Sequence, residues 1–126
     1  AMTATMTTTM TPREMSARTG ISLDTLRYYE RVGLMPEVER LPNGHRRYGQ
    51  NDVGWIEIVQ CLRHTGMPIR DIQDYTRMAL EGDHTIDERL GLLQEHRVSV
   101  LQQIAELQAN LEHLDGKIAY YEGLQD

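Results

Sequence analysis

Residues 11–35 read TPREMSARTGISLDTLRYYERVGLM, and the residues that begin and end its segments divide it into two short helices joined by a turn. Thr11-Pro12-Arg13-Glu14 has the form of a capping box with proline at the first helical position. The Thr11 hydroxyl accepts from the Glu14 amide while the Glu14 carboxylate reaches back. Gly20 stops this helix in the left-handed C-cap role. Ser22 caps a second helix that carries Leu23, Leu26 and, one turn on, Tyr29 or Glu30, before Gly33 closes it. Helices this short are not stable alone in water, so the pair must pack on itself and on later segments of the chain. Two such helices separated by Thr19-Gly20-Ile21-Ser22 are the signature of a helix-turn-helix.

On the second helix Arg27, Tyr28 and Arg31 stand at i, i+1 and i+4, so the two arginines share a face. A guanidinium there reaches a base edge or a phosphate, and a tyrosine hydroxyl donates to phosphate. An isolated pair of arginines is more often a solvated helix face. The next segment, Glu37 to Tyr48, shifts the balance. It is centred on Pro42-Asn43-Gly44, where Asn-Gly is the strongest short hairpin signal, and His45-Arg46-Arg47-Tyr48 comes directly after it. A hairpin ending in basic and aromatic side chains resembles a wing laid along a phosphate backbone; an ordinary exposed hairpin is the alternative.

Beyond the hairpin a third helix opens near Asn51 or Asp52, with Val53, Ile56, Val59 and Leu62 on a wide apolar stripe beside Trp55 and Ile58. Gly66 and Pro68 end it. A fourth begins around Ile69 or Arg70, with Ile72, Tyr75, Met78 and Ala79 inward. After the break at Glu81-Gly82-Asp83, Thr85 is placed to cap the last element. From there Leu90, Leu93, Arg97, Val100, Ile104, Leu107, Leu111, Leu114, Ile118 and Tyr121 step by threes and fours through more than four heptads, the pattern of a coiled coil. A helix from Thr85 to Tyr121 is about 55 Å long at 1.5 Å per residue, too long a seam for so small a head to cover. A second chain is its natural partner, through Leu93, Val100, Ile104, Leu107, Leu111, Leu114 and Ile118, and Arg97 in the seam helps fix register.

The sequence thus predicts a mainly α protein: a disordered tail over residues 1–10, a winged helix-turn-helix over 11–82 and a coiled-coil dimerisation helix over 83–126. Its 126 residues leave no room for a large enzyme core. No apolar stretch approaches the roughly 20 residues of a membrane span, and the opening Thr/Met/Ala run lacks the features of a secretory signal. A single cysteine forms no disulfide framework and fits a reducing cytoplasm.

A net charge of −6 argues against a nucleic-acid partner until the charge is located. Through Thr76 nine arginines balance nine acids, so the whole deficit lies in the C-terminal part. Phosphate binding needs only a local positive face, because charges are screened over about 10 Å at 0.1 M salt.

The run TPREMSARTGISLDTLRYYERVGLM, with TLRYYE followed by GL, resembles the MerR family of bacterial transcription regulators. The resemblance continues through NGHRRY as the wing, DVGWIEIVQCLRHTGMPI as the third helix and the closing long helix. It departs at His45, where the family wing more often has tyrosine. It implies a homodimer whose long helices pair antiparallel and set two heads on successive major grooves. It also implies double-stranded promoter DNA as partner, bent and untwisted so that bacterial RNA polymerase can engage it. Residue by residue, Thr11 and Arg13 fall at the phosphate-facing start of the first helix, Arg27, Tyr28 and Arg31 on the recognition helix, and His45, Arg46, Arg47 and Tyr48 in the wing. No cofactor is called for.

The signal is harder to read. His64, His84, His96 and His113 are scattered without cysteine partners at zinc spacing, so no metal site is expected. The stretches WIEIVQCLRHTGM and HRVSVLQQIAELQANLEHLDGKIAYYE are similar to the NmlR/AdhR branch, which implies a response to aldehydes or other electrophiles through Cys61. Arg63 and His64 lie close by, and a protonated His64 favours a thiolate. An inert, buried Cys61 beside Leu62 is the alternative, leaving a regulator without cysteine sensing that answers another small ligand or acts constitutively. A thiol enzyme would need an oxyanion site and an orienting third residue, for which no glycine-rich strand-to-helix turn argues. A pure coiled-coil interaction module leaves Arg27, Tyr28, Arg46 and Arg47 unexplained.

Overall fold

The computed structural model describes residues 9–125. In chain order it contains α1 (Pro12–Thr19), α2 (Leu23–Arg31), β1 (Glu39–Arg40), β2 (Arg46–Arg47), α3 (Gln50–His64), α4 (Ile69–Glu81) and α5 (Ile86–Leu124), with one 3-10 turn (Asp83–Thr85) before α5. The chain divides into two compact units, one ending at Arg89 and the other starting at Leu90.

In the first unit the expected caps are formed. Thr11 Oγ1 accepts from the Glu14 amide at 3.1 Å, and the Thr11 amide donates to Glu14 Oε1 at 2.8 Å. The Ser22 hydroxyl accepts from the Thr25 amide at 3.2 Å. Gly20, at φ 76°, turns the chain between α1 and α2; Ser16 Oγ donates across that turn to the Ile21 carbonyl. The core gathers residues from α1 to α4 and the segments between them: Met15, Leu26, Tyr29, Leu34, Tyr48, Ile56, Val59, Leu62 and Ile72 are all buried. Of the two residues the sequence left open on α2, Tyr29 turns inward and Glu30 reaches the hairpin.

The hairpin pairs Glu39 with Arg47 and Arg40 with Arg46, antiparallel. Gly44 takes φ 87°, and the Asn43 side chain accepts from the His45 amide at 3.0 Å, so the Asn-Gly turn forms where the sequence places it. Met10 adds an isolated antiparallel bridge to Tyr48, with Met10 N–H to Tyr48 O at 2.7 Å and Tyr48 N–H to Met10 O at 2.9 Å. Met10 is therefore part of the hairpin rather than of the tail; residues 1–8 of the expected tail lie outside the described residues.

Two helix starts differ from expectation. Helix α3 begins at Gln50 with Gly49 as its cap residue; the Asp52 carboxylate, three positions in, accepts from the Gly49 amide at 2.8 Å. Thr85 does not cap α5. It is buried, and its hydroxyl donates to the carbonyls of Met78 and Gly82, closing the end of α4 instead. Arg89 joins this knot, donating to Thr85 Oγ1 at 3.0 Å and to the Gly82 carbonyl at 3.3 Å.

The second unit is helical to Leu124 within α5, whose 39 residues make a rod of about 58 Å at 1.5 Å per residue. Ile104, Leu107, Leu111, Leu114 and Ile118 are 46–68% exposed along it, with Leu93 and Val100 half-buried. No helix of the described residues is long and apolar enough to cross a membrane.

Candidate nucleic-acid interface

The start of α1, the first half of α2 and the hairpin converge on one groove of about 510 Å³. Seven of the residues singled out in the sequence line it: Thr11, Arg13, Arg27, His45, Arg46, Arg47 and Tyr48. Among the described residues no acidic side chain does. Each cation arrives there for a local reason. Proline at the first turn of α1 leaves Arg13 next to it, exposed. Arg27 sits on the outer face of α2, its nearest anion the fully solvated Asp24 at 3.6 Å. The tight Asn43-Gly44 turn brings His45 to Arg47 back alongside α2.

The four wing residues are not equivalent. His45 is exposed at the turn. Arg47 is half-buried and donates to Thr9, at 2.8 Å to the hydroxyl and 3.3 Å to the carbonyl. Arg46 is held from behind: its Nε donates to Glu30 Oε1 at 2.7 Å, and the side chains are only 25% and 9% exposed. Glu30 also accepts from the Val38 amide at 3.0 Å. Burial pushes the Glu30 carboxyl up, but the bonds from Arg46 and Val38 outweigh it and hold the group below the usual carboxylate range. Tyr48 is 1% exposed; its ring belongs to the core, and burial pushes its phenol up.

Tyr28 and Arg31 do not line this groove. Two guanidiniums lie over the Tyr28 ring, Arg31 at 5.7 Å and Arg63 at 5.8 Å from its centroid, within cation–π range. Arg31 instead lines a second groove of about 870 Å³ between α2, the hairpin and α4, where Glu30, Glu37 and Glu81 stand among the arginines.

Cys61 is exposed on α3; in the chain as described it does not pack beside the buried Leu62 as a core residue. Among the described residues no group of three His, Cys, Asp or Glu side chains converges to hold a metal ion.

Sequence reasoning missed Glu30, Gln73 and Thr76. Glu30 bonds to a residue 16 positions away. Gln73 donates to the Val32 carbonyl, and the buried Thr76 hydroxyl to that of Leu34, both across more than 40 residues. Only Thr76 left a trace, a hydroxyl at a position that the apolar spacing of α4 turns inward.

A helix-turn-helix and hairpin that line one acid-free, arginine-rich groove define a DNA-binding regulator. The comparisons with known proteins agree. Residues 10–79 match the family described as MerR HTH family regulatory protein, and residues 53–117 that described as MerR, DNA binding. An uncharacterized HTH-type transcriptional regulator of Haemophilus influenzae is 40% identical over 114 residues, spanning 90% of this chain and 84% of its own. The transcriptional regulator AdhR of Bacillus subtilis is 38% identical over 89 residues, 71% of this chain and 64% of its own. The crystal structure of HiNmlR, a MerR family regulator lacking the sensor domain, bound to promoter DNA, superimposes with a TM-score of 0.85 at 40% identity, over 91% of each chain. A MerR family transcriptional regulator from Bacillus thuringiensis gives 0.82 at 32% identity, over 90% of this chain and 99% of its own. The chain belongs to the MerR family, and its similarity to HiNmlR and AdhR supports the branch read from the sequence. It is a DNA-binding transcription regulator, not an enzyme.

Proposed function

We propose that the protein binds promoter DNA as a homodimer, distorts it for RNA polymerase, and responds to aldehydes or related electrophiles through Cys61. The observation that carries the DNA part is the acid-free groove lined by Thr11, Arg13, Arg27, His45 and Arg47. In this reading α2 enters the major groove with Arg27 toward base edges, while Thr11, Arg13, His45 and Arg47 meet phosphates. Arg46 and Tyr48 support the wing from the protein side. The resemblance to a regulator solved on promoter DNA supports the same partner.

The exposed stripe of α5 supports the dimer. An apolar seam this long is covered by a second copy, and antiparallel pairing sets two heads on half-sites about 34 Å apart. Distortion of the DNA between them supplies part of the specificity.

The exposure of Cys61 and the similarity to AdhR support the sensing step. The thiolate adds to the aldehyde carbonyl carbon, a C–S bond forms as the C=O π bond opens, and the alkoxide takes a proton from water to give a hemithioacetal. No oxidant is required. In vitro transcription from the protein's own promoter, with and without a small aldehyde, tests it against Cys61→Ser. Stimulation that disappears with serine supports sensing through Cys61; stimulation that persists, or never appears, removes that part and leaves the DNA-binding part standing.

A further inference from the structure

Helix α2 ends in a turn that leaves carbonyl groups to be satisfied from outside. Gly33 takes φ 75°, and the Leu34 amide folds back to the Tyr29 carbonyl at 2.9 Å. The Val32 and Leu34 carbonyls then take their donors from α4: Gln73 Nε2 lies 2.6 Å from Val32 O, and Thr76 Oγ1 lies 2.8 Å from Leu34 O. Gln73 and Thr76 are three residues apart, one turn along the same face of α4. Thr76 is 3% exposed and Leu34 fully buried, so water cannot replace that bond, and a hydroxyl there is unfavourable unless it is made.

We propose that Gln73 and Thr76 are positioning residues for DNA reading: they hold the carboxyl end of α2 on α4 and set the tilt of the helix that carries Arg27. Sequence discrimination, more than overall affinity, depends on them. This rests on the reading that α2 faces the bases. Helix α2 has nine residues, a lever of about 13 Å at 1.5 Å per residue. A rotation of about 5° at its carboxyl end moves the start of the helix by about 1 Å and the Arg27 backbone, about 6 Å from the pivot, by about 0.5 Å, the whole of the roughly 0.5 Å range over which an N–H···O bond keeps good geometry. Attraction to phosphates, screened over about 10 Å, hardly notices such a shift.

The test compares the intact wild-type chain with Thr76→Val, Thr76→Ser, Gln73→Asn and Arg27→Ala. Valine keeps the shape and removes the hydroxyl, serine restores it, and asparagine is one methylene too short for Val32. Affinity is measured for a duplex that the wild-type protein selects from a random pool and for unselected random duplex, each over a range of salt. Expected is a fall of about tenfold in the selected-to-random ratio for Thr76→Val, the scale of one misplaced base contact. The Thr76→Ser ratio stays near wild type, and the salt slope on random duplex does not change. A merely structural role lowers the folded fraction, which scales both affinities alike and leaves the ratio untouched. Should Thr76→Val not fold, Gln73→Asn, half-buried and leaving the Thr76 bond in place, gives the same readout. An unchanged ratio in the folded variants overturns the positioning role if Arg27→Ala lowers it. If Arg27→Ala also leaves it unchanged, the reading of α2 itself falls and takes the proposal with it.

Discussion

The pair Glu30–Arg46 joins α2 to the hairpin, and its worth can be worked from its surroundings. The 2.7 Å bond is nearly closed to water on the carboxylate side and a quarter open on the guanidinium side. Removing one partner of a fully buried pair costs about 3–5 kcal/mol, and an exposed pair contributes about 0–1. Arg46→Met, which keeps the apolar stem, leaves Glu30 with the Val38 amide alone and should cost about 2 kcal/mol, between those limits. Glu30→Gln should cost a similar amount, because Arg46 and Val38 donate to different carboxylate oxygens and the amide turns one of them into an NH2 that cannot accept. The double variant has no unpaired charge and should be no worse than either single, giving a coupling energy of about 2 kcal/mol. Urea unfolding followed by far-UV circular dichroism measures this, at one fixed protein concentration because association shifts apparent stability.

The pH dependence provides a second arm. Because the folded-state pKa of Glu30 lies below its unfolded value, the stabilisation is fully present above the unfolded pKa, about 4.3. It is lost as pH falls through the folded value. The gap between wild type and Arg46→Met should therefore be constant near neutrality and close below about pH 4.3. Additive single variants, or a gap that persists undiminished into acid, would refute the argument.

Arg27→Ala should weaken binding to the selected duplex by about 1–3 kcal/mol and random duplex much less, whereas Arg47→Ala should weaken both alike and reduce the salt slope by about 1; equal losses from both variants would contradict that division. If α5 pairs with a second copy as proposed, Leu107→Lys places a charge in that seam and should dissociate the dimer in sedimentation; an unchanged dimer would reject the seam. Thr11→Ala removes the acceptor of the α1 capping box and should lower stability by about 1 kcal/mol, read as a shift of the urea midpoint without a change in slope.

How much of this molecule the sequence disclosed was set by range. The α1 capping box, the left-handed glycines after α1 and α2, the Asn43-Gly44 turn and the α5 repeat are all written within a few residues or in a strict period. Each is found where the spacing placed it. The start of α3 was less sharp because Asp52 serves its helix from three positions inside rather than from the cap, and both uses leave the same acidic residue near the same place. Thr85 misled for a related reason: a threonine ahead of a helix is equally a donor to the helix behind it.

The candidate groove was legible as a set of residues, since Arg13, Arg27, His45, Arg46 and Arg47 all line it, but not as a division of labour. Arg46 and Arg47 are adjacent and alike in sequence, yet Glu30 binds one and Thr9 the other. Nothing local distinguishes them, because alternation along a strand sends neighbours to opposite faces and the partner met on each face comes from elsewhere in the chain. The same holds for Gln73 and Thr76, whose acceptors lie 41 and 42 residues back. Short-range patterns therefore define which helices and turns form, while a few long-range polar bonds set the angles between them. Attraction to a phosphate backbone tolerates small errors in those angles and base contacts do not. In the proposed positioning role, Gln73 and Thr76 would therefore act on sequence discrimination through the angle of α2 rather than through contacts of their own.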